Sequence, residues 1–418
     1  MSNVHKVIDM IAKEGLAIAH EKATFVSTID RQFDDSFKPQ SIGGGRIGGT
    51  LRVKEPNQYV RRQGSRVMDV QDQAESTQTI TLATQDGVDM RFTSAELALD
   101  TDSPSQVEAF SKRYIEPAMA VLMSGIDGDC LETATLGTYN LVGTPGTVVG
   151  ASGDITALGL ARARLNQGLA PKDQNRALQL DSVTMASIVN ANKGLFMPES
   201  QIKKAFTEGY YGRSAMADFY ENERTYNHSV GSDVTGKTHA SDAEVTDGGT
   251  SIKFAASSDD VNINAGDVFT VAGVYACHPE TKASLGYLQQ FVATAAGTTG
   301  AIPISPATVL TGAKQNVCSA AGAQLAVTAF DNVAVTFVGT ASTSYRNNLM
   351  YHKDAFAFVM ADMPVMDDAH KCVVKRNEGF SIRVWMASDI RSDELLCRLD
   401  VMYGFKVFRP AWACRITN

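Results

Sequence analysis

The spacing of apolar residues predicts one amphipathic helix and one irregular segment before residue 50. In residues 4–25, apolar side chains recur at helical spacing between charged ones, with an interruption near Gly15. The glycine-rich residues 42–49 follow. Because glycine has no side chain to pack, this run predicts an extended arm or loop.

Residues 50–99 have the alternation of apolar and polar positions that is typical of β-strands. Two of the strand patterns cover residues 79–82 and 88–92, and Asp86 and Gly87 stand between them. Since Asp-Gly is a favoured pair in tight two-residue turns, the sequence predicts a β-hairpin with its turn at these two residues.

A long helix is predicted after Ser103 and Pro104, which supply an N-cap and a proline at the first helical position. Its apolar residues form one continuous stripe at Val107, Phe110, Tyr114, Ala118, Val121, Leu122 and Ile126. A helix that ends near Thr133 has a length of about 45 Å at 1.5 Å per residue. Pro117 lies inside the pattern and predicts a kink, because proline removes one backbone hydrogen bond.

Helix and strand patterns alternate in residues 154–228 and predict an α/β layer. Residues 155–166 have helical periodicity, and residues 177–189 combine a buried strand with a turn into a helix. Residues 199–207 follow Pro198 and predict a short helix.

The composition changes near His228. Residues 229–344 are rich in Ala, Gly, Thr, Ser and Val, and short strand patterns cover residues 268–271, 291–294 and 333–338. Short strands at this spacing predict a small barrel or sandwich. Because helix-containing sequence lies on both sides, we interpret this region as an inserted domain.

Two strand patterns close the chain. Apolar and polar residues alternate in residues 380–386 and again in 397–407, and the polar residues 388–393 join the two patterns. The sequence predicts a pair of strands that belongs to the main body.

Charge and cysteine usage narrow the class of protein. A formal net charge of -8 over 418 residues argues against a large nucleic-acid-binding face. No apolar run reaches the roughly 18 residues of a membrane helix, and no signal-peptide pattern opens the chain. The six cysteines are scattered without a CxxC pair. This distribution favours reduced thiols in a cytosol over a disulfide framework or a zinc site.

Candidate chemistry is sparse. Residues 43–48 spell GxGxxG, but a dinucleotide site needs a strand before and a helix after the glycines, so a flexible arm is the favoured interpretation. Residues 366–370 with Cys372 could hold a metal ion, although their spacing fits an exposed polar loop better. His352 is interpreted as a surface or interface histidine. No serine-hydrolase elbow, HExxH or P-loop motif occurs, so the sequence predicts no enzyme, no cofactor and no metal.

Arg61, Arg62 and Arg66 form the one compact basic group, in the polar and charged stretch 61–76. This stretch is interpreted as the tip of a long excursion from the main body. The arginines suit either a phosphate or acidic residues of a neighbouring subunit, and a subunit contact is the favoured interpretation.

The order of these parts resembles the major capsid protein of tailed bacteriophages, a fold shared with herpesvirus capsid proteins. The resemblance is closest to short-tailed-phage coat proteins with an inserted β-barrel domain. It covers nearly the whole chain and is carried by residues 49–56 (GTLRVKEP), 192–196 (NKGLF), 266–275 (GDVFTVAGVY) and 378–384 (EGFSIRV).

The resemblance implies an α+β fold divided among the parts known from such proteins. In chain order these would be an N-terminal arm (1–49), an extended β-loop (50–99), a peripheral domain with the spine helix (100–149), the first part of an axial domain (150–228), the inserted β-barrel (229–344), and the second part of the axial domain with closing strands (345–418).

It also implies the partners. Hexamers and pentamers would form an icosahedral shell around double-stranded DNA, without sequence recognition and without a membrane. Assembly in the host cytoplasm through a procapsid would involve a scaffolding protein and a portal protein, and the product would be the virion capsid. We expect Asp9 and Glu14 of the first helix to recruit a basic scaffolding partner. A tail-tube or accessory shell protein, and an enzyme using the glycine loop, are the alternatives; the long helix argues against a tail tube.

Overall fold

The computed structural model describes most of the chain. The described residues are 24–33, 49–62, 64, 67–68, 70–71, 75–93, 111–151, 153–191, 213–238, 245–254, 262–297, 301–366, 371–377, 380–389, 391–392 and 394–418. The chain divides into two compact units. Unit 1 consists of Met1–Val53, Gln78–Cys130 and Phe356–Lys406, and unit 2 of Lys54–Thr77, Leu131–Ala355 and Val407–Asn418.

Helices are a minor component of the described residues. The α-helices are α1 (Glu116–Gly137), α2 (Thr156–Gln167) and α3 (Ser182–Ala191), and a π-helical turn, Ser111–Ile115, precedes α1. Short 3-10 turns are formed by Val26–Thr28, Val327–Phe330, Lys353–Ala355 and Pro410–Trp412.

Strands make up most of the regular structure. Their bounds in chain order are β1 Thr50–Lys54, β2 Thr77–Thr81, β3 Thr84–Thr93, β4 Leu141–Val142, β5 Arg176–Leu180, β6 Arg213–Ser214, β7 Ala217–Glu221, β8 Asn227–Ser229, β9 Lys237–Thr238, β10 Gly249–Lys253, β11 Val268–Cys277, β12 Ser284–Ala293, β13 Ala301–Thr308, β14 Val317–Cys318, β15 Ala334–Phe337, β16 Ser344–His352, β17 Phe356–Met360, β18 Lys371–Asn377, β19 Phe380–Asp389, β20 Glu394–Val407 and β21 Ala413–Thr417.

Unit 1 contains a five-stranded sheet in the order β17-β20-β19-β18, with β3 also paired to β20. The hairpin of β19 and β20 confirms the strand pair predicted at the end of the chain. Arg383 and Asp400 lie opposite each other in this hairpin, with Nη2 2.5 Å from Oδ2, and both side chains are buried. β18 pairs antiparallel with β19 and places Cys372 opposite Trp385, so Cys372 belongs to a strand and not to the polar loop predicted for its neighbourhood.

The predicted hairpin turn at Asp86 and Gly87 is wrong. Both residues lie inside β3, which pairs antiparallel with β20 over ten residues and sets Gly87 opposite Asp400. A Cβ on Gly87 would lie 2.6 Å from the carbonyl oxygen of Leu399. Glycine at position 87 therefore allows the backbones of β3 and β20 to approach closely, which is a common reason for a glycine inside a strand.

The long helix is present from Ser111 onward, with two differences from the prediction. Its predicted start at Ser103 and Pro104 lies outside the described residues. Pro117 is the second residue of α1 and follows the π-helical turn directly. Such a wider turn accommodates a proline that cannot donate a backbone hydrogen bond. Val121 belongs to the predicted apolar stripe but is 67% exposed. The buried side chains of this helical segment are Ile115, Met119, Leu122, Met123, Ile126, Asp127, Cys130, Leu131, Ala134 and Thr135.

Unit 2 contains a mixed sheet in the order β4-β21-β16-β5-β7-β6, with β8 paired to β16. The pairs β21–β4 and β5–β7 are parallel. Side chains of α2 and α3 share one hydrophobic cluster with this sheet, which includes Leu158, Leu165, Met185 and Ile188. The predicted helix over 155–166 and the predicted strand-to-helix segment 177–189 are confirmed; the helix predicted over 199–207 lies outside the described residues.

Unit 2 also contains an antiparallel sheet in the order β10-β13-β12-β11-β15-β9, with β14 paired to β11. The strands predicted at 268–271, 291–294 and 333–338 are found as parts of β11, β12 and β15. The sheet has its own hydrophobic cluster, whose aromatic members are Phe254, Phe269, Phe291, Phe330 and Phe337. The domain bounds 229–344 remain a prediction.

Candidate functional site

Two sets of hydrogen bonds join the two sides of the loop between β1 and β2. Near its base, the backbone N–H of Glu55 donates to the carbonyl oxygen of Ser76 at 2.9 Å. The hydroxyl of Ser76 donates to Glu55 Oε2 at 2.5 Å and accepts a hydrogen bond from Lys314 Nζ at 2.9 Å. Further out, the Gln71 side-chain amide bonds both the N–H and the carbonyl of Val60, at 2.9 and 2.6 Å. The side-chain amide of Gln71 thus takes the place of a backbone partner for Val60, outside the paired strands β1 and β2.

The same loop exposes apolar side chains. The exposed fractions are 56% for Tyr59, 43% for Val60, 76% for Val67, 80% for Met68 and 77% for Val70. The stretch 61–76, which is mostly polar and charged, thus also presents three exposed apolar side chains. Isolated exposed apolar residues are ordinary, but a group of them on one loop is a candidate interaction surface. We call Tyr59, Val60, Val67, Met68 and Val70 the apolar tip.

Two of the three predicted contact arginines lie beside the apolar tip. Arg61 and Arg62 are exposed, and Arg62 Nη1 donates to the carbonyl oxygen of Val67. Arg66 lies outside the described residues, as do Asp9 and Glu14. Arg61 also lines a cleft with Tyr59, Leu169 and Lys282.

A second assembly of side chains joins the mixed sheet of unit 2 to its antiparallel sheet. Arg415 of β21 is fully buried and donates from Nε to the carbonyl oxygen of Thr138 at 2.7 Å. Its Nη2 donates to the carbonyl oxygen of Leu136 at 3.3 Å, and its Nη1 to that of Gly266 at 2.8 Å. Burial lowers the pKa of this guanidinium to about 9, which leaves it charged at neutral pH. A cation at these carbonyls also complements the negative end of the α1 dipole.

Asp267 completes this assembly, which we call the Gly266 junction (His228, Gly266, Asp267 and Arg415 with the carbonyls of Leu136 and Thr138). Asp267 is 2% exposed, and its carboxylate lies 2.8 Å from His228 Nε2. It also accepts the backbone N–H groups of Gly231 and Asn264, at 3.1 and 2.8 Å. Gly266 has a φ of +95°, and a Cβ there would lie 2.3 Å from Leu136 Cδ2. The positive φ favours glycine, and a larger residue would also require the Leu136 side chain to move.

Two further contacts join the antiparallel sheet to the mixed sheet and to α2. The amide of Gln290 accepts the N–H of Leu141 and donates to its carbonyl, each at 2.8 Å, so it caps the free edge of β4. The guanidinium carbon of Arg164 lies 3.2 Å from the ring centroid of Tyr287, a cation–π contact. Leu141 of β4 also packs against Val268 and Val292 of the antiparallel sheet. The two sheets are therefore joined by directional contacts as well as by apolar packing.

The residues that the sequence offered as candidates for catalysis, metal binding or dinucleotide binding do not belong to the loop or to the Gly266 junction. The prediction of a surface or interface position for His352 is wrong, because this residue is 1% exposed. Its Nδ1 accepts the N–H of Asp354 at 3.2 Å, so Nε2 carries the proton and donates to Asp173 at 3.0 Å. Asp367, Asp368, His370 and the glycines of 43–48 lie outside the described residues.

Within the described part of the chain, no group of three or more His, Cys, Asp or Glu side chains is placed to hold a metal ion. No helix in that part is long and apolar enough to cross a membrane. The six cysteines are free thiols. Burial raises the pKa of Cys397 and of Cys414 to about 12, so neither resembles an activated nucleophile.

Comparison with known proteins gives one match in sequence. The profile of the family described as P22 coat protein, gene protein 5, matches residues 221–414. This segment is just under half of the chain and contains the antiparallel sheet, most of the Gly266 junction and the strands from β16 to β20. A search of curated proteins gives no match.

Solved structures with similar folds include several phage capsids. A structure from Mycobacterium phage Che8 has a TM-score of 0.47 and 9% identity, over 94% of this chain and 90% of that one. The mature capsid of bacteriophage PhiM1 gives 0.43 and 8%, over 91% and 83%. The capsid of Ralstonia phage GP4 gives 0.42 and 8%, over 94% and 87%. These scores lie below 0.5, and the assignment rests on the family match.

The chain is a major capsid protein of the tailed-bacteriophage type, and its subunits form the shell of the virion. Its segment 221–414 matches the P22 coat protein family, which is a family of structural proteins. The predicted α+β capsid fold and the predicted role as a coat protein are confirmed.

Proposed function

We propose that this coat protein builds an icosahedral shell of hexamers and pentamers that encloses double-stranded DNA. It would do so through a procapsid, with a scaffolding protein and a portal protein as partners, in the host cytoplasm. The observation that carries the assembly part of this proposal is the apolar tip. A coat protein repeats each subunit contact many times, so one modest apolar contact per subunit is multiplied by the symmetry of the shell.

The apolar tip would insert against a neighbouring subunit, and Arg61, Arg62 and Arg66 would surround that contact. Arginines at the rim of an apolar contact favour acidic side chains on the partner and set the specificity of the encounter. The overall charge of -8 supports a shell that holds DNA without binding it tightly, since like charges repel.

The apolar tip is tested by replacing Val67, Met68 and Val70 together with serine. These side chains are exposed in the subunit, so the thermal midpoint of the unassembled chain should stay within about 2 °C. The fraction of chain that sediments as closed shells should fall at least tenfold. Val183→Ser, at a residue of α3 that is 61% exposed, is the matched control and should assemble normally. Normal shells from the triple variant would contradict the proposed contact.

The arginines are tested by reversing Arg61, Arg62 and Arg66 to glutamate in assembly reactions without nucleic acid. If the partners are acidic residues of another subunit, empty shells should fail to form. Normal empty shells that later fail to retain DNA would point to phosphate contacts instead.

The scaffold contact rests on the acidic residues Asp9 and Glu14. Their reversal to lysine should reduce the amount of scaffolding protein retained in procapsids. Full retention of scaffold in the Asp9→Lys, Glu14→Lys variant would remove this part of the proposal.

A further inference from the structure

The thiols of Cys277 and Cys318 meet on neighbouring strands of the antiparallel sheet. β11 and β14 are antiparallel, with Tyr275 opposite Cys318 and Ala276 opposite Val317. The N–H of Cys277 donates to the carbonyl oxygen of Asn316 at 3.0 Å, which extends this register by one residue. Cys277 and Cys318 are therefore diagonal neighbours on one face of the sheet.

The thiol groups of the two cysteines are close to each other and buried. The Cys318 thiol lies close enough to raise the pKa of the Cys277 thiol. Cys318 Sγ also lies 3.7 Å from the carbonyl oxygen of Ala276, and Cys277 Sγ lies 3.8 Å from that of His278. The exposed fractions of Cys277 and Cys318 are 5% and 0%.

Burial makes the pair slow to react. Desolvation raises the pKa of Cys277 to about 11, with the neighbouring Cys318 as the second cause, whereas the Lys282 ammonium opposes the shift. Little thiolate is then present at neutral pH, and the thiolate is the reactive form. The partner strand β14 has only two residues, so a local opening there would give a reagent access to the pair.

We infer that Cys277 and Cys318 form a reversible disulfide that locks β14 onto β11. The oxidant is a small-molecule disulfide. One cysteine thiolate attacks it, forms a mixed disulfide and releases one small thiolate. The second cysteine then attacks the mixed disulfide at the protein sulfur and releases the other. Two protein thiols and one small disulfide thus give one protein disulfide and two small thiols, which take up the two protons.

The bond would close a loop that contains β12 and β13, two inner strands of the sheet. A crosslink of this kind stabilises chiefly by restricting the unfolded chain. Only its timing rests on the proposed function: the pair would stay reduced in a host cytoplasm and oxidise slowly in released particles, where the medium is oxidising.

The experiment uses the purified, unassembled full-length chain, incubated with oxidised glutathione, trapped by alkylation and mapped by mass spectrometry. We expect one crosslinked peptide pair containing Cys277 and Cys318. The thermal midpoint should rise by roughly 5–10 °C and return after reduction. Cys318→Ser and Cys277→Ala should each abolish the crosslink and the rise. Cys372→Ser, at the half-buried cysteine of β18, should retain both.

Two results would overturn the inference: both cysteines remaining fully alkylatable after prolonged oxidation and unfolding, or a stable glutathione adduct on Cys277 without closure. Because the chain is unassembled, a failure to form shells leaves this test unaffected. A failure of the crosslink likewise leaves the proposed assembly untouched.

Discussion

Arg415 and Gly266 are joined by a buried hydrogen bond, 2.8 Å from the guanidinium Nη1 to the carbonyl oxygen. The same guanidinium holds the carbonyls of Leu136 and Thr138 at the end of α1. One side chain therefore connects the end of the long helix, the last strand of the mixed sheet and the turn that opens β11. This contact fixes how the antiparallel sheet sits on the rest of unit 2.

Replacing Arg415 with methionine should lower the free energy of unfolding by about 3–5 kcal/mol. The three carbonyls would lose a charged donor, and buried polar groups without partners are costly. Denaturant unfolding of the unassembled chain measures the loss. Arg391→Met, at an exposed arginine of the β19–β20 turn, should change stability by no more than about 0.5 kcal/mol. Equal stabilities of the two variants would refute the role given to the Gly266 junction.

Replacing Gly87 with alanine should destabilise the chain by about 1–3 kcal/mol, because the new methyl group would meet the carbonyl of Leu399. Gly125→Ala provides the opposite expectation. Gly125 is exposed on α1, and a Cβ there would have open space around it, so alanine should stabilise by about 0.5–1 kcal/mol. Thermal unfolding of both variants measures the two effects, and a stabilising Gly87→Ala would contradict the close approach of β3 to β20.

Asp247 should give the antiparallel sheet part of its acid sensitivity. Hydrogen bonds from the Thr311 hydroxyl and the Leu310 N–H, each 2.7 Å, hold the pKa of this carboxyl below its usual range. A depressed folded-state pKa stabilises the protein above the unfolded-state pKa, and that stability disappears as the pH falls through the folded-state value.

The matched variant is Asp247→Asn, which should cost about 0.5–1 kcal/mol at pH 7, a small figure because the carboxylate is exposed and screened. Urea unfolding at a series of pH values should show the gap closing as the carboxyl of the parent protein becomes protonated. A gap that stays constant from neutral pH down to about pH 3 would contradict this assignment.

The local sequence pattern predicts those helices and strands whose formation does not depend on residues far away in the sequence. The helix α2, the β5–α3 segment and the β19–β20 hairpin follow from periodicity and turn residues, and the structure has them within a few positions. Asp86 and Gly87 show the limit of prediction from the local sequence. Their pair favours a turn locally, but the backbone of Leu399, far away in the sequence, determines why a glycine stands there.

The candidate sites show the same limit. Arg61 and Arg62 are visible in the sequence as a compact basic group, whereas Val67, Met68 and Val70 are dispersed among polar residues and only their joint exposure reveals a surface. Arg415 stands in an apolar strand with no local signal, because its three acceptors come from distant segments. The Gly266-Asp267 pair belongs to a stretch that carries the family resemblance, but its contacts with His228 and Arg415 require the fold.

The most direct test of the central claim is electron microscopy of the full-length chain expressed together with a scaffolding protein. We predict uniform closed shells in which this chain is the most abundant protein. Persistent monomers, or open tubes, under the same conditions would contradict the assignment as a shell-forming coat protein.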